Sequence, residues 1–255
     1  MTMSAFVIRS AAVVLAVLFS AVPARAEEIK VLSSVAMRAV VEELAQRFER
    51  ESGHHVATTF GLAAAMKSRI EAGEPFDVVI ITPAQIDDLI KQGKAAAASR
   101  TVIARTGLGL MVRAGAPKLD VATVDALKRT LLAATSLTYV PPPGASGVAF
   151  LAIVKQLGIT QAIEAKTKAG AGAEEVNANI VGGAADIAVL PVSEILPVKG
   201  AMLGGVFPAE LQTYIVMAGA TSNTASAAAR GFLARLTSSA SDAVITAKGM
   251  ERVTP

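Results

Sequence analysis

The residues of this chain whose types and spacing suggest chemistry lie in short, mostly uncharged runs. Ser33-Ser34-Val35-Ala36, Gly61-Leu62-Ala63-Ala64, Gly144 to Gly147, Glu174 to Val176 and Pro191 to Ser193 each follow a β-rich run and precede a helical one. The first turn of a helix carries N–H groups without partners and the positive end of the helix dipole, so it attracts anions without any cation. These runs therefore point to anion capture. The candidate ligand-binding residues are Ser33, Ser34, Val35, Ala36, Gly61, Leu62, Ala63, Ala64, Ser146, Gly147, Glu175, Val176 and Pro191. Taken singly, each run is an ordinary helix start; their joint placement is what marks a site. The run GLAAAM is the most telling. A helix start normally offers Ser, Thr, Asp or Asn to a free N–H, and this one offers none.

Reactive side chains give no comparable signal. His54 and His55 are the only histidines, and as neighbours on a strand they point to opposite faces, which makes them a poor metal pair. The acidic pairs Glu42-Glu43, Asp87-Asp88 and Glu174-Glu175 fall on helix surfaces or first turns, where solvation and the dipole account for them. No GxSxG, HExxH or P-loop is present, and cysteine is absent, which excludes thiol catalysis and cysteine-ligated metals. The expectation is a binding protein, not an enzyme, with no cofactor. Arg38, Lys67 and Arg69 are cations near the first two runs; the ordinary alternative is that they are exposed helix residues.

The elements that must position these runs alternate in the manner of parallel sheets with crossover helices. Strands are expected at 28–33, 55–60 and 77–81, with helices at 36–52, 63–72 and 83–92. The stretch 101–115, TVIARTGLGLMVRAG, is a long β-rich crossing between two lobes, broken by Gly107 and Gly109. A second series follows, with helices at 123–133, 146–157 and 174–181 and strands at 136–140 and 186–190. After a Pro- and Gly-punctuated segment at 191–210, the strand 212–219 is expected to cross back, and helices at 223–237 and 239–248 to pack on the first lobe. In open α/β sheets the crevice lies at the carboxyl ends of the strands, where all five runs fall.

Composition bounds the rest. The chain has 255 residues, 53% hydrophobic and 18% charged, enough for one large domain or two of about 110 residues each. Residues 1–26 combine Arg9, an apolar run from Ala11 to Val22 and the small-x-small ending Ala24-Arg25-Ala26, which reads as a secretory signal peptide. The apolar run falls short of the roughly 20 residues that a spanning anchor needs. The signal holds two of the 24 basic residues and none of the 21 acidic ones, so the mature chain is close to +1. That balance leaves no electrostatic footprint for nucleic acid.

The chain resembles the molybdate-binding protein family, the periplasmic receptors of ABC importers. The resemblance covers nearly all of the mature chain. It is carried by FGLAAAM followed by RIEAGEPFDVVI, by VLSSVAMRAVVEELAQRFERESG and SGVAFLAIVKQLGI, and by GAEEVNANI and ADIAVLPVSEIL. It implies a two-lobe α/β periplasmic binding protein of type 2, each lobe a mixed, mostly parallel sheet flanked by helices, joined by two crossing strands. It further implies a periplasmic monomer that docks on an inner-membrane permease. Lobe 1 is expected at 27–106 and 217–255, and lobe 2 at 107–216.

Registered on Phe48 and Gly53, the family's first serine falls on Ala36. Registered on Phe60 and on Arg69 to Gly73, its second falls on Ala63. Its second-lobe backbone donors fall on Ser146 and Val176, and its tyrosine on Leu190, which joins the candidate site. A buried oxyanion loses about 1.5–3 kcal/mol for each charged hydrogen bond removed. The expected ligand is therefore an anion other than molybdate, a larger organic anion such as a carboxylate. The competing readings are a true molybdate or tungstate receptor and a sensory protein that presents its ligand to a membrane receptor.

Overall fold

The computed structural model describes residues 26–253. Apart from Ala26, the expected signal segment lies outside the described residues. No described helix is long and apolar enough to cross a membrane.

The first lobe begins with β1 (Glu28–Ser34), a single 3-10 turn over Val35–Met37, α1 (Arg38–Ser52), β2 (His55–Gly61), α2 (Ala63–Glu71), β3 (Val78–Ile81) and α3 (Pro83–Lys91). α1 buries Val40, Val41, Leu44 and Ala45 on one face, and it ends where Gly53 takes φ +72°, a conformation that costs other residues energy. β3 reads VVII and is buried throughout, as a central strand covered on both faces must be; it pairs parallel with β1 and antiparallel with β9. β1, β2 and β3 are parallel, so the starts of α1, α2 and α3 share the carboxyl edge of this half-sheet.

β4 (Thr101–Arg113) then runs through both halves of the molecule. Its first part, to Gly107, pairs antiparallel with β9 (Tyr214–Thr221), whereas Leu108 onward pairs with β7 (Ile187–Pro191) and β8 (Ala201–Val206). Between β4 and β7 come α4 (Val124–Ala133), β5 (Leu137–Tyr139), α5 (Ala145–Gln156), α6 (Thr160–Glu164), β6 (Thr167–Ala169) and α7 (Ala173–Val181). α8 (Val192–Ile195) follows β7 directly. The chain closes with α9 (Ala227–Thr237) and α10 (Asp242–Ala247). The strand order is β2-β1-β3-β9-β4-β7-β5-β6, with β8 beside β4. Each half is a mixed sheet flanked by helices, the α/β class expected, with parallel pairing among β1, β2 and β3 and among β5, β6 and β7, and antiparallel pairing where β4, β8 and β9 join them.

Two departures from the sequence reading are instructive. Residues 191–210 read as a Pro- and Gly-punctuated connection, yet they form α8 and β8, elements too short for their hydrophobic period to register. The return strand starts at Tyr214 instead of Gln212. The Leu108 N–H donates to Gln212 Oε1 at 2.7 Å and Gln212 Nε2 donates to the Leu108 carbonyl at 3.1 Å, so a side-chain amide replaces the strand partner at the crossing. Gly107 leaves room for it, since a Cβ there would sit 2.8 Å from Gln212 Cδ. The C-terminal helices pack on the first lobe as expected: Phe232 meets the Phe48 ring at 5.4 Å, and Lys248 pairs with Glu43 at 3.0 Å.

Candidate functional site

α2 starts at Ala63 with Leu62 as its N-cap, and no side chain accepts from its first turn. The Met66 N–H donates to the Leu62 carbonyl, so the amides of Ala63, Ala64 and Ala65 precede the first intrahelical bond. α5 repeats this in the other lobe. Gly144 is its uncapped N-cap, the Val148 N–H is the first to bond within the helix, and the amides of Ala145, Ser146 and Gly147 come before it. The two helix starts line one narrow cleft of about 50 Å³ from opposite sides. Ser34, Val35 and Ala36 extend the first-lobe wall and Pro191 the second, with Ile215 and Met217 of β9 also lining it. Among the described residues no lysine or arginine lines this inner compartment.

A second, outer compartment of about 220 Å³ adjoins it, lined among others by Arg38, Glu42, Glu174 and Asn177. Val35 and Glu194 line both spaces and so form the partition between them. Glu194 lies on α8, which the crossing strand holds in place: the Ser193 N–H donates to Thr106 Oγ1 at 3.2 Å, and Thr106 Oγ1 donates to the Gly249 carbonyl at 3.0 Å. Although part of its surface reaches the cleft, protein surrounds the Glu194 carboxyl, and burial pushes its pKa up to about 7 against a weaker opposing pull from the Arg38 charge. Ser193 Oγ and Asn177 Oδ1 are buried without hydrogen-bond partners beside this compartment.

The placement of the remaining sequence candidates is mixed. Ser34, Val35, Ala36, Leu62, Ala63, Ala64, Ser146 and Pro191 line the inner compartment. Ser33, Gly61, Gly147, Glu175, Val176 and Leu190 do not. Ser33 is fully buried and its Oγ donates to the Ser34 carbonyl at 3.2 Å. Gly61 sits against Met66, where a Cβ would meet Cε at 2.7 Å, and Gly147 lets α5 press on the β5 loop, where a Cβ would lie 2.0 Å from the Val140 carbonyl. Glu175 accepts from the Ala171 N–H at 2.8 Å, closing its own loop. Val176 and Leu190 are fully buried in the second-lobe core with Met111 and Ile180. α7 reaches the outer compartment through Ala173 and Glu174 instead.

Of the three nearby cations, only Arg38 lines the cleft; it lies over the Phe60 ring at 4.5 Å and 3.6 Å from Glu42. Lys67 pairs with Glu71 at 2.9 Å and Asp88 at 3.6 Å, and Arg69 forms a two-pronged pair with Glu74. The histidines stand at the opposite end of β2, where His54 Nδ1 accepts from the Glu27 N–H and His55 pairs with Glu49. Among the described residues no group of three His, Asp or Glu is placed to hold a metal ion.

Sequence reasoning missed Thr82, Gln85 and Glu194. Thr82 and Gln85 sit at the start of α3, beyond the carboxyl end of β3, and Thr82 Oγ1 donates to Gln85 Oε1 at 2.9 Å. The strand-end rule that located the other loops points to them equally. Glu194 lies one residue beyond the run Pro191 to Ser193.

The sequence profile of bacterial extracellular solute-binding proteins matches residues 29–251. A protein named aconitate isomerase, from a Pseudomonas species, is 31% identical over 196 residues, 74% of either chain. The molybdate-binding protein ModA of Azotobacter vinelandii is 27% identical over 186 residues, 71% of either chain. Among solved structures, the periplasmic molybdate-binding protein of Azotobacter vinelandii superposes with a TM-score of 0.74 at 21% identity, covering 89% of this chain and 99% of that one.

Proposed function

Because the chain belongs to the bacterial extracellular solute-binding proteins, we propose that it captures a small organic anion, a carboxylate, between its lobes in the periplasm and hands it to the permease of an ABC importer. One observation carries this reading: two uncapped helix starts on opposite walls line one narrow cleft whose inner compartment holds no cation. Such a site neutralises an anion with main-chain amides and the hydroxyls of Ser34 and Ser146. Ala36 and Ala63 stand where the family resemblance expects serines, which removes hydroxyl donors that a compact tetrahedral oxyanion needs. The outer compartment, with Arg38, supplies room and charge that such an ion does not use.

The test is a thermal-shift series on residues 27–255 with molybdate, tungstate, sulfate, phosphate and a panel of mono-, di- and tricarboxylates. A ligand that binds only the folded state raises the melting midpoint. Di- or tricarboxylates are expected to raise it most; a nanomolar response to molybdate would overturn the carboxylate reading in favour of a molybdate receptor.

A second reading has its own support. The relative named aconitate isomerase is 31% identical, and Glu194 places a titratable carboxyl at the cleft's partition. On this reading the bound acid is transformed in place.

A further inference from the structure

A carboxylate in the binding cleft works against an anion receptor, because like charges repel at short range and most strongly where water is excluded; of the three that line this one, Glu42 is paired with Arg38 at 3.6 Å and Glu174 borders only the outer compartment. Glu194 is nevertheless held there, on a short helix tied to the crossing strand through Thr106. It borders both compartments, so a ligand that fills both must pass it. The two ends of the cleft also differ. One offers helix amides and hydroxyls. The other offers the Arg38 guanidinium and one buried hydroxyl without a partner, Ser193 Oγ, which can donate to a carboxylate. That arrangement fits an elongated molecule with a carboxylate at each end and its carbon backbone against Glu194.

We propose that Glu194 is a catalytic acid–base that moves a proton between two carbons of an unsaturated polycarboxylate lying across both compartments. The proposal rests on the carboxylate reading of the cleft and adds turnover to it. The ionised Glu194 removes a proton from the CH2 group next to a C=C bond, breaking a C–H bond and forming an O–H bond. The freed electron pair spreads over the three-carbon allylic unit and onto the carboxylates of its two terminal carbons. One of these carboxylates lies at the α2 and α5 amides and the other at Arg38, so the developing charge is stabilised at both ends. Glu194 then returns the proton to the far carbon, and the double bond has moved one position. Atoms and electrons balance with no oxidant, reductant or second substrate.

The titration of Glu194 suits this role, since burial holds it near neutrality, where one group can both take and give a proton. The charged groups facing it across the outer compartment are Arg38 and Glu42 from α1 and Glu174 from α7.

The experiment is proton exchange in D2O, followed by NMR, with trans-aconitate and with glutaconate as probes and protein-free samples as controls. Thermal shift with the same acids runs in parallel. Deuterium is expected at both terminal carbons of the allylic unit, with a rate that rises through pH 7. Glu194→Gln should slow exchange by about a hundred-fold or more while the acids still raise its melting midpoint. If Glu194→Gln does not fold, Glu194→Ala supplies the same test, with exchange expected to recover on adding formate. Binding without exchange, or exchange that survives in Glu194→Gln, overturns the catalytic role and leaves capture standing. No binding of either acid overturns the proposal, and capture itself then stands or falls on the wider carboxylate panel.

Discussion

In the inner compartment Leu62, Ala63 and Ser146 belong to helix starts without side-chain caps, whereas in the outer one Arg38, Glu42 and Glu174 stand around a larger space. Apart from Glu194 at the partition, the inner half handles charge with fixed dipoles that cannot titrate, and the starts of α2 and α5 form part of its wall. The outer half handles charge with side chains that move and screen one another. The contrast teaches that affinity for the anionic head and selectivity for the rest of the molecule reside in different places, and that they should respond separately to substitution.

The largest expected effect sharpens the inner half. Ala36→Ser with Ala63→Ser puts two hydroxyls beside amides that already line the compartment. At about 1.5 kcal/mol or more for each charged hydrogen bond gained, affinity for molybdate should rise by about two orders of magnitude. Calorimetric titration checks this. An unchanged affinity would mean that the alanines do not face the anion and that it lies elsewhere than at the starts of these helices.

Next comes the partition. Glu194 has a folded-state pKa of about 7 against an ordinary 4.5, so the folded chain keeps a proton there that the unfolded chain releases. Stability from this group is therefore complete below about pH 4.5 and is lost as pH rises through about 7. The difference corresponds to at most about 3 kcal/mol, nearer to about 2 kcal/mol given the carboxyl's partial contact with the cleft. Glu194→Gln removes the dependence, so urea titrations should find the variant more stable than the parent at pH 8 and the advantage gone at pH 4.5. Parallel pH profiles for the two proteins would show that Glu194 titrates as an ordinary exposed carboxyl.

These two predictions bracket what the sequence made legible. The alternation of short β-branched runs with helical ones located the architecture, because burial on both faces leaves strands such as VVII with no polar positions. The loops after β2 and β5 were legible for a related reason: a helix start without a capping side chain is a local anomaly, visible in GLAAAM itself, whereas the loop after β1 is capped in the ordinary way by Ser34 Oγ, which accepts from the Ala36 N–H at 3.4 Å. What escaped notice depends on tertiary placement. Ser33 and Ser34 are adjacent in sequence, yet only Ser34 lines the cleft, because the strand's alternation turns Ser33 into the interior. Gly147 reads as a ligand-binding glycine and serves as a packing one. Glu194 is one of 21 acids, and nothing in its neighbourhood of PVSEIL shows that two compartments meet at its carboxyl.

A smaller effect separates the compartments by charge. Arg38 is about half exposed, with 42% of its side chain accessible, and already lies 3.6 Å from Glu42, so its pairing with a ligand carboxylate is partly screened. Arg38→Gln should weaken binding of a dicarboxylate about five-fold, near 1 kcal/mol, and leave a monocarboxylate unchanged. Equal losses for both ligands would show that Arg38 acts on the whole cleft and not on its outer half.

The smallest effect tests whether proximity in sequence counts for anything by itself. Lys67 lies on the same helix whose first turn lines the inner compartment, and a cation there would add to the pull of the free amides if its charge reached them. Its ammonium is instead committed to Glu71 at 2.9 Å and Asp88 at 3.6 Å, and the Glu71 hydrogen bond raises its pKa. A cation paired with two carboxylates projects little net field, and solvent with salt removes most of the remainder within about 10 Å. Lys67→Gln should therefore change affinity by less than about two-fold at 0.1 M salt. Calorimetry in the same buffer at 0.01 M salt should enlarge the difference only slightly. A loss that grows steeply as salt is lowered would place Lys67 within the field of the bound anion, and the division between a dipolar inner half and a charged outer half would no longer hold.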